Sequence, residues 1–517
     1  MRPFDVVIVG AGMAGSLLAR QLRRTDPSMS VALLEKASTP KRKVGESTVD
    51  VCGKYLTKRL GLSTYLYDRQ LPKNGLRFFF DRADRSGSME ELSEIGSTGL
   101  LPLPSFQLDR ARFEADLHAM NEESGIDVRT GVRVHAIALG EGEPHAIAID
   151  GGETLRARWV VDATGRSSRL ARQLDVRTPV DTVQRVAGWA RFEGVADLDD
   201  FGSPAFRARV RDTSRVLSTN HFCYAGYWIW LIPLGEGITS VGVVADRGRV
   251  PEGAIRRDGL VPFLLEHRAM RELLGDARAL DHGSLDGLAY GTTRTIDVDR
   301  RVALIGEAAA FTDPLYSPGG DFIALANDWV SDVIARESAG EPHVALQERA
   351  SIYERLFLAR HEATLLLHQD QYDVLGSFEL FGSKWDFDLA CYLNLWVEPY
   401  WRDEHLDLDQ ARVECAGRAQ TLGVLSTFRH VFVDACATLR ERGRYFERNV
   451  GHAVLDPAAR FLFSDFGTEA SRRRGLVRVR EAMHLVLDEL NDKLGRPRAD
   501  VKVPFAELAL GRRLVRY

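Results

Sequence analysis

Gly10-Ala-Gly12-Met-Ala-Gly15 follows the short β-branched run Phe4–Val9 and opens a helical stretch, Ser16–Arg24. In that pattern Gly10 makes a tight turn, Gly12 lets the backbone approach a pyrophosphate, and Gly15 lets helix and strand pack closely. The helix N-terminus, with Ala14 in its first turn, then faces the phosphates. A second strand, Ser30–Leu34, ends on Glu35, 20 positions after Gly15, followed by Lys36. A carboxylate there can take ribose hydroxyls. The spacing predicts a dinucleotide site and does not by itself separate FAD from NAD.

Two further groups carry chemical potential. Trp228-Ile-Trp230-Leu-Ile232-Pro233 places two indoles two residues apart, so on a strand they share a face and form a bulky wall. Lys73, in Leu71-Pro72-Lys73-Asn74-Gly75, stands at the mouth of the apolar run Leu76–Phe80. A lone lysine is ordinarily a solvated surface residue. One held at the end of a buried strand loses water, and its amine becomes less basic.

These groups need elements to hold them. The βαβ start implies a parallel sheet covered by helices. Arg158–Val161 is a further strand closing on Asp162-Ala-Thr-Gly165, and Arg301–Ile305 another. Residues 77–80, Val132–Leu139 and Ala146–Ile149 read as strands of a more antiparallel layer, and 185–245 as β-sheet. From about Asp321 to Leu494 the pattern turns helical. The expected organisation is an FAD- or NAD-binding body over 1–335, containing a β-sheet substrate layer at about 60–105 and 180–295, and a mostly helical region over 336–517 that covers the substrate.

The 517 residues are 45% hydrophobic and 27% charged, with net charge −5. That is a globular composition, and it excludes disordered, collagen-like and disulfide-framework classes. No basic excess points to nucleic acid. The five cysteines lie at least 21 apart with no metal-ligand spacing, which reads as reduced thiols in a cytoplasmic protein. No unbroken apolar run approaches the ~20 residues of a membrane span. His361, Glu362 and His368 could share a helix face, but no third ligand is placed and no metal is expected.

Asp162-Ala-Thr-Gly165 and Arg301–Glu307, in this order after the glycine motif, resemble the FAD-dependent hydroxylase and halogenase superfamily over about residues 1–335. The WxWxIP segment, Lys73 after Gly45-Glu46-Ser47, and Phe311–Gly320 narrow the resemblance to flavin-dependent halogenases of the tryptophan and phenol type. The fold implied is α/β, a Rossmann-like FAD domain with an inserted β-sheet layer and a helical C-terminal region. The resemblance implies FAD as cofactor, contacted by Gln107, Arg110, Gly306, Glu307 (where Asp is more usual) and Asp313. Trp228 and Trp230 would shield the flavin. Reduced FAD from a separate flavin reductase would form a C4a-hydroperoxide with dioxygen. Chloride or bromide would attack it to give hypohalous acid, and Lys73 would position or capture that reagent beside an aromatic substrate.

Two departures bear on this. Pro318 has no N–H where a backbone donor is expected to hold the halide, so the task falls to Gly319 and Gly320. Tyr316 stands where tryptophan halogenases carry a glutamate, which favours a self-activating ring, a phenol or pyrrole, free or carrier-bound. Tyr316, Phe381, Trp385 and Trp396 are the expected substrate lining. The basic segments Arg472-Arg473-Arg474 and Arg512-Arg513 could dock an acidic carrier, although a solvated surface is the plainer reading. Oligomeric state is open between monomer and homodimer. The competing readings are a halogenase-like monooxygenase or oxidoreductase that does not halogenate, and a flavin-binding protein without activity.

Overall fold

The computed structural model describes residues 2–457, 468 and 475–496. The basic segments at 472–474 and 512–513 lie outside the described residues. β1 (Phe4–Val9) is followed by α1 (Met13–Thr25) and β2 (Val31–Leu34). β1 pairs in parallel with β2 on one side and with the strand Thr154–Asp162 on the other. Val302–Leu304 extends the sheet in parallel beyond Thr154–Asp162, and Asp127–Arg129 extends it beyond β2. Val6–Val9 and Val31–Leu34 are buried throughout, as expected for central parallel strands covered on both faces.

The strands Val134–Ala138 and His145–Ile149 form an antiparallel hairpin on the edge of Thr154–Asp162. They belong to the first sheet, not to the layer that holds residues 77–80. Alternation identified them as strands, but it does not say which sheet a strand joins.

The second, mostly antiparallel sheet runs through Arg185–Glu193, Ile238–Asp246, Tyr227–Gly235, Thr219–Tyr224, Leu76–Phe80 and Ser93–Gly96. Leu76–Phe80 joins Thr219–Tyr224 in parallel. Its two faces divide by the two-residue period. Phe79, Phe222, Ile229, Leu231, Val241 and Val243 pack under the helices Arg257–Leu265 and Arg268–Leu274. Phe78, Phe80, Cys223, Trp228, Trp230 and Val244 join the main core on the opposite face. An ion cluster centred on the fully buried Glu94, Arg77 and Arg215 side chains ties this sheet together. The Glu94 carboxylate accepts from Arg77, from Arg215 at 2.9 Å on each oxygen, and from Arg209 at 3.3 Å. The three arginines share Glu94, and Asp199 adds a second carboxylate on Arg215 at 2.8 Å, so every buried charge there is paired, the condition under which such groups are tolerated.

The helices Gly319–Ser338, His343–His368, Phe378–Cys391, Leu408–Glu441 and Gly475–Leu494 cover one side of the molecule. Among the described residues Leu408–Glu441 is the one helix long and apolar enough, by length and composition, to cross a membrane. Its apolar stripe Val424, Leu425, Phe428 and Phe432 packs with Phe387, Met483 and Val486 of the neighbouring helices. The five cysteines form no disulfide.

Candidate functional site

The glycine motif is built as its spacing demands. Gly10 has φ 107°, and a β-carbon on it would sit 2.3 Å from the Ala163 carbonyl oxygen. A β-carbon on Gly15 would lie 2.0 Å from the Gly10 carbonyl oxygen, so only glycine lets α1 approach β1. Gly12 differs. Its φ is −70°, and the atoms nearest to a β-carbon at this position would be the Lys43 Nζ and Glu114 Oε1, 3.8 and 3.9 Å away. Its open side faces a cleft of about 940 Å³ lined by Gly10, Gly12, Ala14, Glu35, Lys36, Arg110 and Glu307. Glu35 accepts from the Ala11 and Ala37 N–H groups, each at 3.0 Å, which fixes its carboxylate at the cleft wall. Arg110 donates to the Val44 and Gly45 carbonyls and to Glu114, while its buried Nε has no protein partner. An open cradle at Gly12, an anchored acid and an unsatisfied guanidinium nitrogen fit a dinucleotide.

The cleft runs on into a chamber of about 150 Å³ through Met13, Arg110, Glu307 and Ile323, which line both. Gly45, Glu46, Ser47, Trp228, Trp230, Gly306, Asp313, Gly319 and Gly320 line this inner chamber. The two indoles are 5.9 Å apart at their centroids. Trp228 donates to the Tyr372 hydroxyl at 2.8 Å and Trp230 to Ser240 at 3.1 Å. Trp189 adds a third indole 6.5 Å from Trp230, with the Trp189 ring over Gly283 and the Trp230 ring over Gly242. Sequence reading missed Trp189, whose strand gave no paired-tryptophan signal. Glu46 is held by Arg191 at 2.8 Å, and Asp313 accepts from Tyr372, Arg185 and the Leu315 N–H. Both acids are thus engaged by protein as well as facing the chamber. The Gln107 side chain, by contrast, is buried and donates to the Val216 carbonyl, away from the cleft.

A second chamber, about 130 Å³, lies beyond Pro318 and Phe322, which line both. Its walls include Val49, Leu76, Leu315, Tyr316, Leu389, Trp385 and Trp396. Phe381, expected in this lining, is fully buried between Phe78 and Phe80 and stacked on Trp385. One turn apart, Phe381 and Trp385 share a helix face, and Phe381 backs the chamber wall through its stack on Trp385. His361 binds the Phe311 carbonyl.

Lys73 lines neither chamber itself, but its neighbours belong to both: Ser47 and Thr48 line the inner chamber, and Asp50 and Asp321, within electrostatic reach of its amine, line the second. Its strand Leu71–Lys73 pairs with Ser105–Gln107, and its side chain is 6% exposed. Nζ donates to the Ser47 Oγ at 2.7 Å and to the Thr48 carbonyl at 2.6 Å. Ser47 also bonds Thr219 and Ser317, both at 2.8 Å. Burial pulls the Lys73 amine down to about 7, against the opposing pull of Asp50, Asp321 and Cys52. Burial pushes Asp50 up to about 6 and Asp321 to about 7. Asp321 is fixed by the Cys52 N–H at 2.9 Å and the Tyr392 hydroxyl at 2.8 Å. Lys73 therefore changes charge near neutrality, and its ordinary range lies well above that.

Tyr316 and Ser317 both take left-handed backbone conformations, φ 68° and 59°. This turn presents the Tyr316 ring to the second chamber. Its hydroxyl donates to Asp388 at 2.9 Å, and Lys384 pairs with the same carboxylate oxygen at 2.8 Å. A carboxylate thus reaches this chamber from a different element than the sequence pattern suggested. Gly319 opens the long helix Gly319–Ser338, whose first-turn N–H groups lack intrahelical partners. Among the described residues no group of three or more His, Cys, Asp or Glu side chains could hold a metal ion.

Residues 3–235 match the family model described as FAD binding domain. The chain is 25% identical over 441 residues to flavin-dependent halogenase chlA of Dictyostelium discoideum, covering 78% of this chain and 72% of that one. It is 29% identical over 355 residues to tetracycline 7-halogenase of Kitasatospora aureofaciens, covering 62% and 61%. The fold matches the crystal structure of halogenase PltM in complex with phloroglucinol and FAD, with TM-score 0.70, 19% identity and coverage of 93% and 96%. Together, the glycine cradle, the cleft and these matches define an FAD-dependent enzyme with a Rossmann-like cofactor domain. Within that class, the sequence is similar to flavin-dependent halogenases, at 25% and 29% identity to the two relatives above.

Proposed function

We propose that the protein is a reduced-FAD-dependent halogenase that delivers oxidised halogen from the tryptophan-walled chamber to Lys73, beside an electron-rich aromatic in the second chamber. The observation that carries this reading is the position of Lys73, a buried amine bonded to Ser47 and Thr48 of the flavin chamber's wall and within electrostatic reach of Asp50 and Asp321 of the second, where the two chambers meet at Pro318 and Phe322. When bound and reduced by a partner reductase, FAD supplies the dioxygen activation that converts chloride or bromide to hypohalous acid. Gly10, Gly12, Ala14, Glu35, Lys36 and Arg110 hold the dinucleotide in its cleft. Gly45, Glu46, Ser47, Gly306, Glu307 and Asp313 line the chamber for its reactive ring. The N–H groups of Gly319 and Gly320 stand in for the donor that Pro318 lacks and hold halide at the helix N-terminus. Trp189, Trp228 and Trp230 fill the space an aromatic substrate would need to enter this chamber.

A neutral Lys73 amine has two N–H bonds, and both are committed to Ser47 and Thr48. Its lone pair is then free to attack the halogen of hypohalous acid: the nitrogen–halogen bond forms as the oxygen–halogen bond breaks, and the hydroxide leaves with one amine proton as water. At the substrate, a carbon–halogen bond forms as the bond from nitrogen or oxygen to halogen breaks. The ring hydrogen leaves as a proton, and the net products are the aryl halide and water. Holding one ring carbon near Lys73 sets the position of attack. The relatives fit such a substrate: PltM was crystallised with phloroglucinol, and one curated relative is a 1H-pyrrole-2-carbonyl-[peptidyl-carrier protein] brominase.

The test is mass spectrometry of a reaction containing the protein, FAD, a flavin reductase, NADH, dioxygen, bromide and a panel of phenols, pyrroles and indoles. The expected result is a bromide-dependent isotope doublet. The single-turnover rate should rise with pH through about 7, because acid protonates Lys73 and removes its lone pair. A gain of one oxygen without bromine would favour a monooxygenase, and a rate that falls through the same range would contradict the neutral-amine role.

A further inference from the structure

The second chamber has an apolar wall and one unsatisfied polar corner. His368, at the end of the helix His343–His368, lines the chamber and is 1% exposed. Neither ring nitrogen has a hydrogen-bond partner in the protein. The Thr364 carbonyl, one turn back, is close enough to raise the ring's basicity slightly but lies outside hydrogen-bond geometry. Asp388 lines the same chamber, and it too is incompletely used. Tyr316 and Lys384 both bond its Oδ2, while the buried Oδ1 has no partner. The Tyr316 ring joins the two groups: its centroid is 5.5 Å from the His368 ring, and its hydroxyl is bonded to Asp388.

Buried polar atoms without partners are uncommon and costly, about 1–3 kcal/mol each. A cluster of them at a cavity wall marks where a ligand completes the network. The kind of ligand follows from the atoms on offer. Burial keeps the imidazole neutral by pulling its pKa down to about 4, so it presents one donor and one acceptor. Asp388 Oδ1 presents an acceptor. A hydroxyl both donates and accepts, and it can meet a donor and an acceptor at once. A pyrrole or indole N–H only donates, so it would leave the imidazole N–H unpaired.

Resting on the halogenase reading of this chamber, we propose that its substrate is a phenol whose hydroxyl sits between His368 and Asp388. The imidazole N–H donates to the phenol oxygen, and the phenol O–H donates to Asp388 Oδ1. The bond to a carboxylate pushes electron density into the ring and makes its ortho and para carbons better nucleophiles. Asp388 thereby supplies the negative charge that the sequence lacks at Tyr316.

The test measures binding to the FAD-loaded protein by calorimetry, without halide, dioxygen or reductant. The probes are monocyclic phenols, each paired with its methyl ether, and pyrrole-2-carboxamide. An ether keeps the acceptor and loses the donor, so wild type should bind each phenol about tenfold more tightly than its ether. Asp388→Asn and His368→Phe should each reduce that ratio to about threefold or less, with FAD content and circular dichroism unchanged. His368→Gln keeps a donor and an acceptor and should retain most of the preference. If His368→Phe does not fold, Asp388→Asn and His368→Gln carry the comparison. Equal binding of phenol and ether by wild type would overturn the proposal. So would an undiminished preference in folded Asp388→Asn, or tighter binding of the pyrrole. Because no halogenation is required, a phenol preference without halogenated product would remove only the halogenase reading. Halogenation without such a preference would remove only this one.

Discussion

Lys73→Ala should lose aromatic halogenation by about a thousandfold while halide oxidation continues. The two activities separate because they occupy different chambers. Halide oxidation belongs to the chamber of Trp228, Trp230 and Gly319, which Lys73 approaches only from behind Ser47 and Thr48. Transfer to the substrate depends on the Lys73 amine, whose two N–H bonds are taken by Ser47 and Thr48 and whose lone pair is uncommitted. Hypohalous acid made by the variant should escape and be caught by an added thiol or amine scavenger. Comparison of scavenger halogenation with substrate halogenation, in both proteins, checks this. Parallel loss of both activities would mean that Lys73 maintains the flavin chamber instead. Lys73→Arg should not rescue transfer, because a guanidinium stays protonated and offers no lone pair.

The second large effect concerns the glycine cradle. Gly12→Ala should leave stability within about 0.5 kcal/mol of wild type and weaken FAD binding by about a hundredfold. Its backbone already has a conformation open to alanine, and no protein atom comes within 3.8 Å of the new methyl. The methyl instead fills the space through which a pyrophosphate approaches the N-terminus of α1. Gly15→Ala should lose FAD and also destabilise the apoprotein by about 1–3 kcal/mol, since its methyl meets the Gly10 carbonyl oxygen at 2.0 Å. Flavin fluorescence titration and urea denaturation of the two apoproteins distinguish a ligand clash from a packing clash. Unchanged FAD affinity in Gly12→Ala would place the pyrophosphate elsewhere.

These contrasts also show what a sequence reveals. The glycine motif and Trp228/Trp230 were legible because their function is carried by local periodicity: a turn, a helix start, and two side chains on one strand face. Lys73 was legible as a lysine beside a buried strand, but its bonds to Ser47 and Thr48 cross 26 and 25 residues and needed the fold. Tyr316 looked like a lost acid. The structure returns a carboxylate through Asp388, 72 residues away on another helix, a distance no spacing argument spans. Phe381 and Trp385 looked equivalent in an aromatic run and do share a helix face, but the packing of Phe78 and Phe80 against Phe381 leaves only Trp385 at the chamber, a tertiary fact no spacing reveals. The hairpin Val134–Ala138 with His145–Ile149 showed its strands clearly and its sheet not at all, because edge pairing is a tertiary choice.

In the proposed reaction, oxidised halogen passes from the flavin chamber to Lys73 before it meets the aromatic. A chase experiment separates this order from direct attack by free hypohalous acid. FAD-loaded protein is reduced, exposed to dioxygen and bromide without substrate, freed of small molecules by rapid desalting, and then mixed with a phenol under anaerobic conditions. Brominated product is expected from wild type, at no more than one equivalent per protein, and none from Lys73→Ala. Product from both proteins in equal amount, or from neither, would contradict passage through Lys73.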